Sequence, residues 1–177
     1  MRRFPKVVHR RRVRASSREG ARIDLMVLHS TEGANITGIA DLVGLGSFFA
    51  GVEADSTVAI DAEGQSARYK LDADKPWTQA AYNRRCLSIE MIGRAAQRSW
   101  TKAEVDEAAR WLAYWSRKHG IPLQRGHVSN GTVTKRGVVT HKQLGALGGG
   151  HVDPGDGFPV NRCIRRARYF RTLQARK

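Results

Sequence analysis

Apolar residues fall along the chain in two distinct rhythms. From Ile23 to Ser30 (IDLMVLHS) Ile23, Leu25 and Val27 alternate with Met26 and Leu28. Both faces of that segment are therefore apolar, which predicts a central strand covered on both sides. Cys86 to Ile92 (CLSIEMI) places Leu87, Ile89 and Met91 on one face and Ser88, Glu90 and Ile92 on the other, again a strand. Ser56 to Asp61 and Ser66 to Leu71 flank Ala62-Glu63-Gly64-Gln65, where Gly64 supplies the positive φ of a hairpin turn. Gly137 to His141 (GVVTH) reads as a short β-branched strand.

The second rhythm is helical. Asn35 to Phe49 carries Ile36, Ile39, Ala40 and Val43 at helical spacing. Thr101-Lys102-Ala103-Glu104 has the form of a capping box. It opens a helix with Val105, Ala108, Leu112 and Trp115 on one side, closed by Gly120 and Pro122. Trp100, Trp111, Tyr114 and Trp115 lie on or beside this helix and read as packing. A last helix from about Val160 would bury Ile164, Ala167 and Phe170. The whole predicts an α/β fold, a single-domain mixed central β-sheet flanked by helices.

Charge changes that picture only at the ends. The formal net charge is +15, a value that suggests a nucleic-acid partner. Yet residues 1–20 hold eight Arg or Lys against one acid, and residues 162–177 hold seven against none. The body between them is nearly neutral, which argues against a phosphate-tracking domain. The expected organisation is a basic extension over 1–20, a catalytic domain over 21–171 and a basic tail over 172–177. The first residues have the charge of a signal peptide but no apolar stretch behind it, so no signal peptide is expected. No segment approaches the roughly 18 apolar residues that span a bilayer. Cys86 and Cys163 stand alone, without a CxxC pair, and are expected to be reduced and packed.

Candidate chemistry lies among six histidines. His9 sits in the basic extension, His119 at a helix C-terminus and His127 in what reads as a Gly- and Ser-rich loop. His29 and His141 each end a strand, and Asp153 follows in Gly150-His151-Val152-Asp153-Pro154-Gly155. Two imidazoles and a carboxylate from separate elements form a ligand set that suits catalytic zinc, with a fourth position open to water. Spacing alone does not select these three from other His and Asp groupings.

The segments VLHST, NRRCLSIEMIG and the pair VVTH with HVDPG resemble the zinc N-acetylmuramoyl-L-alanine amidases of the type 2 family, which includes phage lysins and peptidoglycan recognition proteins. The likeness runs in order from about Ile23 to Phe170 and is nearest to amidase domains of lysins from phages of actinobacteria. It implies His29, His141 and Asp153 as zinc ligands, with His151 a competing second ligand in place of His141. It implies Glu90 as the residue that orients or deprotonates water. His151 stands where many members carry a lysine, and as an imidazolium it would stabilise the oxyanion, making the rate depend on pH. Trp77 and Asn83 match positions near the groove for the peptide stem.

The implied activity is hydrolysis of the amide between N-acetylmuramic acid and L-alanine in peptidoglycan. Two alternatives remain beside it: a non-catalytic peptidoglycan-binding module of the same fold, and a basic nucleic-acid-binding protein. The basic termini would draw the protein to anionic wall polymers. A monomer is expected, made in the host cytoplasm and reaching the wall on release, or carried on the virion.

Overall fold

The computed structural model describes residues 2–10, 16–32 and 56–176. The helix expected over 35–49 lies outside them. Eight strands occur among the described residues: β1 (Val7–Arg10), β2 (Leu25–Ser30), β3 (Val58–Ile60), β4 (Ser66–Arg68), β5 (Cys86–Met91), β6 (His127–Ser129), β7 (Thr132–Lys135) and β8 (Gly137–Thr140). Two long helices accompany them, α1 (Lys102–His119) and α2 (Val160–Ala175).

Six strands form one mixed sheet in the order β1-β4-β3-β5-β2-β8. Only β3 and β4 pair antiparallel, as the hairpin pattern predicts, and β5, β2 and β8 run parallel side by side. Gly64 closes that hairpin at φ +70°, and a Cβ there would stand 2.6 Å from the Ala103 carbonyl oxygen. The turn is thereby pressed against the start of α1, a close approach that glycine alone permits.

The alternation within β2 separates two layers. Met26 and Leu28 enter the main core with Leu87, Ile89, Met91 and the buried sides of α1 and α2, while Leu25 and Val27 face a smaller cluster with Tyr82, Cys86, Val139 and Leu144. His29 and Glu90 follow the parity of this second layer and pair in register across β2 and β5. Both therefore emerge on the face away from the helices. Trp111 and Trp115 are buried and Trp100 and Tyr114 pack against the core, as expected. Both cysteines are free and buried. Among the described residues no helix is long and apolar enough to cross a membrane.

Three features differ from the sequence reading. Residues 127–135 form a hairpin, β6 and β7, where a loop was expected; its strands are exposed and polar, so no apolar alternation announces them. The expected basic extension supplies β1, which pairs with β4, and its Arg2 and the Lys6 backbone N–H both reach Glu107 on α1, at 2.5 and 2.6 Å. The capping box is asymmetric: Thr101 Oγ1 accepts from the Glu104 backbone N–H at 3.1 Å and donates to the Ala62 carbonyl at 2.5 Å. Burial, with Asp61 nearby, pushes the Glu104 carboxyl up to about 8, against the backbone hydrogen bond from Thr101.

Candidate metal centre

The C-terminal edge of a parallel sheet is where strands open into loops, and α/β proteins gather ligand-binding groups there. His29 lies one residue before the end of β2, and His141 directly follows β8, the neighbour of β2. Asp153 arrives from the loop beyond β8. That loop is held by the Lys142 backbone N–H donating to the Asp153 carbonyl at 3.1 Å, and by Gly155. A Cβ on Gly155 would lie 1.9 Å from the Ala95 carbonyl oxygen, and its φ is +78°, so the chain turns here against backbone.

The three side chains converge. His29 Nδ1 and His141 Nδ1 are 2.9 Å apart, and Asp153 lies 3.2 Å from the first through Oδ2 and 3.0 Å from the second through Oδ1. All three residues are buried, and among the described residues theirs is the one group of His, Cys, Asp and Glu close enough to share a metal ion. Zinc bonds of about 2.0–2.1 Å in a tetrahedron put neighbouring ligand atoms about 3.3 Å apart. The observed spacings are slightly tighter than that.

The hydrogen bonds behind the rings show why a cation fits. His141 Nε2 lies 2.8 Å from the Gly148 carbonyl oxygen, which only accepts, so the proton of a neutral ring sits on Nε2 and Nδ1 is bare. That bare nitrogen faces a carboxylate oxygen, so two lone pairs oppose each other. On the other side Gln79 meets His29 Nε2 at 2.8 Å, which fixes the ring with Nδ1 toward the cluster. Burial lowers the pKa of His29 to about 4, outweighing the hydrogen bond to Asp153, so the ring is neutral at neutral pH. One imidazole proton cannot satisfy two nitrogens and two oxygens that all point inward. A divalent cation can.

Around the cluster opens a pocket of about 320 Å³ whose walls include Glu90, Trp77, Thr78 and His151. Glu90 is buried, its Oε1 3.7 Å from His29 Nδ1. His151 is exposed and stacks on His141 with ring centroids 4.5 Å apart. The structure thus gathers His141 with His29 and Asp153, and leaves the competing ligand, His151, on the pocket wall. Trp77 is 48% exposed, with its indole N–H on Ser16 Oγ at 3.1 Å and the Lys75 ammonium 3.7 Å above its ring.

Asn83 does not line the pocket. It is buried in a 3₁₀ turn (Ala80–Arg85), where its Oδ1 accepts from the Gln79 backbone N–H at 2.7 Å. Its link to the site runs through Gln79, a residue the sequence reading missed. A lone glutamine in a loop carries no periodic or motif signal. His119 ends α1, as expected, and its ring also contacts Asp72 Oδ2 at 2.9 Å.

Several solved structures share this fold. A Staphylococcus aureus hydrolase, AmiA, solved with its ligand, aligns with a TM-score of 0.73 at 14% identity, over 97% of this chain and 85% of that one. The endolysin N-acetylmuramoyl-L-alanine amidase LysCS from Clostridium intestinale aligns with a TM-score of 0.65 at 16% identity, over 93% and 97%. The recognition protein PGRP-SA of Apis mellifera aligns at 0.61 and 14%, over 96% and 95%. No curated protein matches the chain by sequence. At these identities the likenesses establish the fold, but the family model for N-acetylmuramoyl-L-alanine amidases matches residues 19–156, and the chain therefore belongs to that family.

Proposed function

We propose that the protein is a zinc-dependent N-acetylmuramoyl-L-alanine amidase of the phage-lysin type, cutting the amide between the lactyl group of N-acetylmuramic acid and L-alanine in peptidoglycan. The observation that carries this reading is the inward convergence of His29 Nδ1, His141 Nδ1 and Asp153, with His141 fixed by Gly148 so that its lone pair points into the cluster. A zinc ion held by these three supplies Lewis acidity, which polarises a carbonyl and brings the pKa of water to about 7.

The chain's own residues complete the reaction. Glu90 takes a proton from the attacking water and returns it to the departing nitrogen of L-alanine, a general base and then a general acid in one position. Its burial beside His29 keeps bulk water from competing. His151, stacked on His141 at the pocket wall, donates to the oxyanion while protonated. Trp77, with Lys75 above it, offers a flat wall to the sugar or peptide.

Digestion of purified peptidoglycan, with and without a chelator, tests the reading. New L-alanine amino groups should appear, vanish with chelation and return with added zinc. Reducing sugar ends, or amino groups indifferent to chelation, would overturn it.

A further inference from the structure

A second hollow among the described residues exceeds the metal pocket in volume. A cavity of about 840 Å³ lies beside it, between Arg125 and Lys142 on one side and the start of α2, with Arg162 and Arg165, on the other. Its walls share two loops with the metal centre. Thr140 and Lys142 flank His141, and Gly155 and Asp156 follow Asp153 by two and three residues.

The basic residues of α2 divide sharply. Arg166 is paired with Asp106 at 2.7 and 2.8 Å, Arg168 donates to the Leu123 carbonyl at 2.9 Å, and Arg171 donates to Ser116 Oγ at 3.1 Å. Arg162 and Arg165, one turn apart, make no ion pair with any described residue, and neither does Arg125 across the hollow. Lys142 meets the one carboxylate on the wall, the exposed Asp156, at 2.9 Å. Three uncompensated guanidinium groups around one concavity repel one another, and they are stabilised when an anion enters. The first turn of α2 adds to this field, since it has neither an acidic residue nor a side-chain cap. Likewise, part of the charge of the N-terminal segment is already spent inside the fold, Arg2 on Glu107 and Arg18 on the carbonyls of Asp72 and Arg84.

We propose that this hollow is a binding site for successive phosphates of a phosphodiester polymer attached to the bacterial wall, held by Arg125, Arg162 and Arg165. Guanidinium forks match phosphate oxygens, and the volume suits a run of phosphates better than a single carboxylate. The choice of a wall polymer over a nucleic acid rests on the amidase reading, because the site adjoins the loops that carry His141 and Asp153. A polymer seated there would hold the neighbouring glycan against the metal pocket.

The full chain and its triple variant Arg125→Gln/Arg162→Gln/Arg165→Gln should be compared on purified poly(glycerol phosphate), on polyglutamate and on duplex DNA of equal charge. The variant should bind poly(glycerol phosphate) about 10-fold or more weakly, and its log–log salt slope should fall by about 2. It should cleave a soluble muramyl peptide as the parent does. On phosphate-bearing walls it should be slowed to the rate both proteins show on walls stripped of phosphodiesters with hydrofluoric acid. Unchanged polymer binding, equal binding of polyglutamate, or a preference for DNA would each overturn the proposal. If neither protein cleaves any amide but the polymer still binds through the three arginines, the amidase reading falls and the phosphate site stands.

Discussion

Asp72 and Asp153 are buried to nearly the same degree, and both carboxyls are held well below the usual range, but by opposite surroundings. Burial alone would raise both. At Asp72 this is outweighed by donors on every side: His119 at 2.9 Å, Lys118 at 2.7 Å, Arg68 at 2.8 Å and the Trp115 indole N–H at 3.2 Å. At Asp153 it is outweighed by His141 and His29, whose two inward nitrogens bring a single proton between them when both rings are neutral, and helped by the Ser30 backbone N–H at 3.2 Å. Asp72 brings its counter-charges with it and ties β4 to α1. Asp153 competes with two ring nitrogens for the few protons that point inward. A buried charge with all its donors in the chain is architecture, whereas one that shares too few protons with other inward-pointing acceptors is suited to an imported cation.

The strongest way to break this contrast is Asp153→Asn. We expect zinc to be lost and amide hydrolysis to fall on the order of 10³-fold or more, corresponding to about 4 kcal/mol of charge stabilisation. The metal-free variant should melt only slightly below the metal-free parent, since Asn can still accept from the Ser30 backbone N–H. Metal analysis beside a melting curve checks both, and a variant that keeps stoichiometric zinc would remove Asp153 from the ligand set.

Asp72→Asn should do the reverse. Stability should drop by about 3 kcal/mol, as when one member of a buried ion pair is removed, while zinc content per folded molecule stays the same. The sign in pH follows from a folded pKa below the unfolded value of 3.8: the stabilisation is present above that value and is lost as pH falls below about 4. Denaturant midpoints of parent and variant should therefore converge in acid. A gap that persists at low pH would mean that packing rather than charge carries the effect.

Gln79→Ala probes the support of the candidate metal centre. The amide fixes the His29 ring from behind, so its loss should weaken zinc binding about 10- to 100-fold with little change in melting temperature. Competition with a chromophoric chelator measures this directly. An unchanged affinity would show that β2 and the packing of its neighbours suffice to aim His29.

That Gln79 went unseen in the sequence while His29 did not follows from what each depends on. His29 ends an apolar run, and the parity of β2 already puts it on the face opposite the helices, with Glu90 in register. Such information is local and periodic. His141 and Asp153 needed the family likeness, because their meeting depends on a glycine-rich loop whose path is set by contacts such as Gly155 against Ala95, about sixty residues away in sequence. Helices α1 and α2 and the hairpin of β3 and β4 were legible from apolar spacing and turn residues. The hairpin of β6 and β7 was not, since its side chains bury little. Nor was β1, because VVHR inside a run of arginines reads as tail until β4 offers it an edge.

The smallest expected effect concerns a third buried carboxyl, Glu104, which has neither the cations of Asp72 nor the imidazoles of Asp153. Burial, with Asp61 nearby, raises it to about 8, against the Thr101 backbone hydrogen bond, so it folds as the neutral acid. Its folded pKa lies above the unfolded value of 4.5, and the folded state therefore holds more protons between the two. Stability from this group is complete below pH 4.5 and declines as pH rises toward 8. Glu104→Gln mimics the neutral acid and should remove that decline, stabilising the protein by about 1 kcal/mol at pH 8, after local water has relieved part of the burial, and by nearly nothing at pH 5. Urea midpoints of parent and variant at the two pH values provide the measurement. Parallel profiles would show that Glu104 ionises in place, and that a buried carboxylate in this fold needs neither cation nor imidazole beside it.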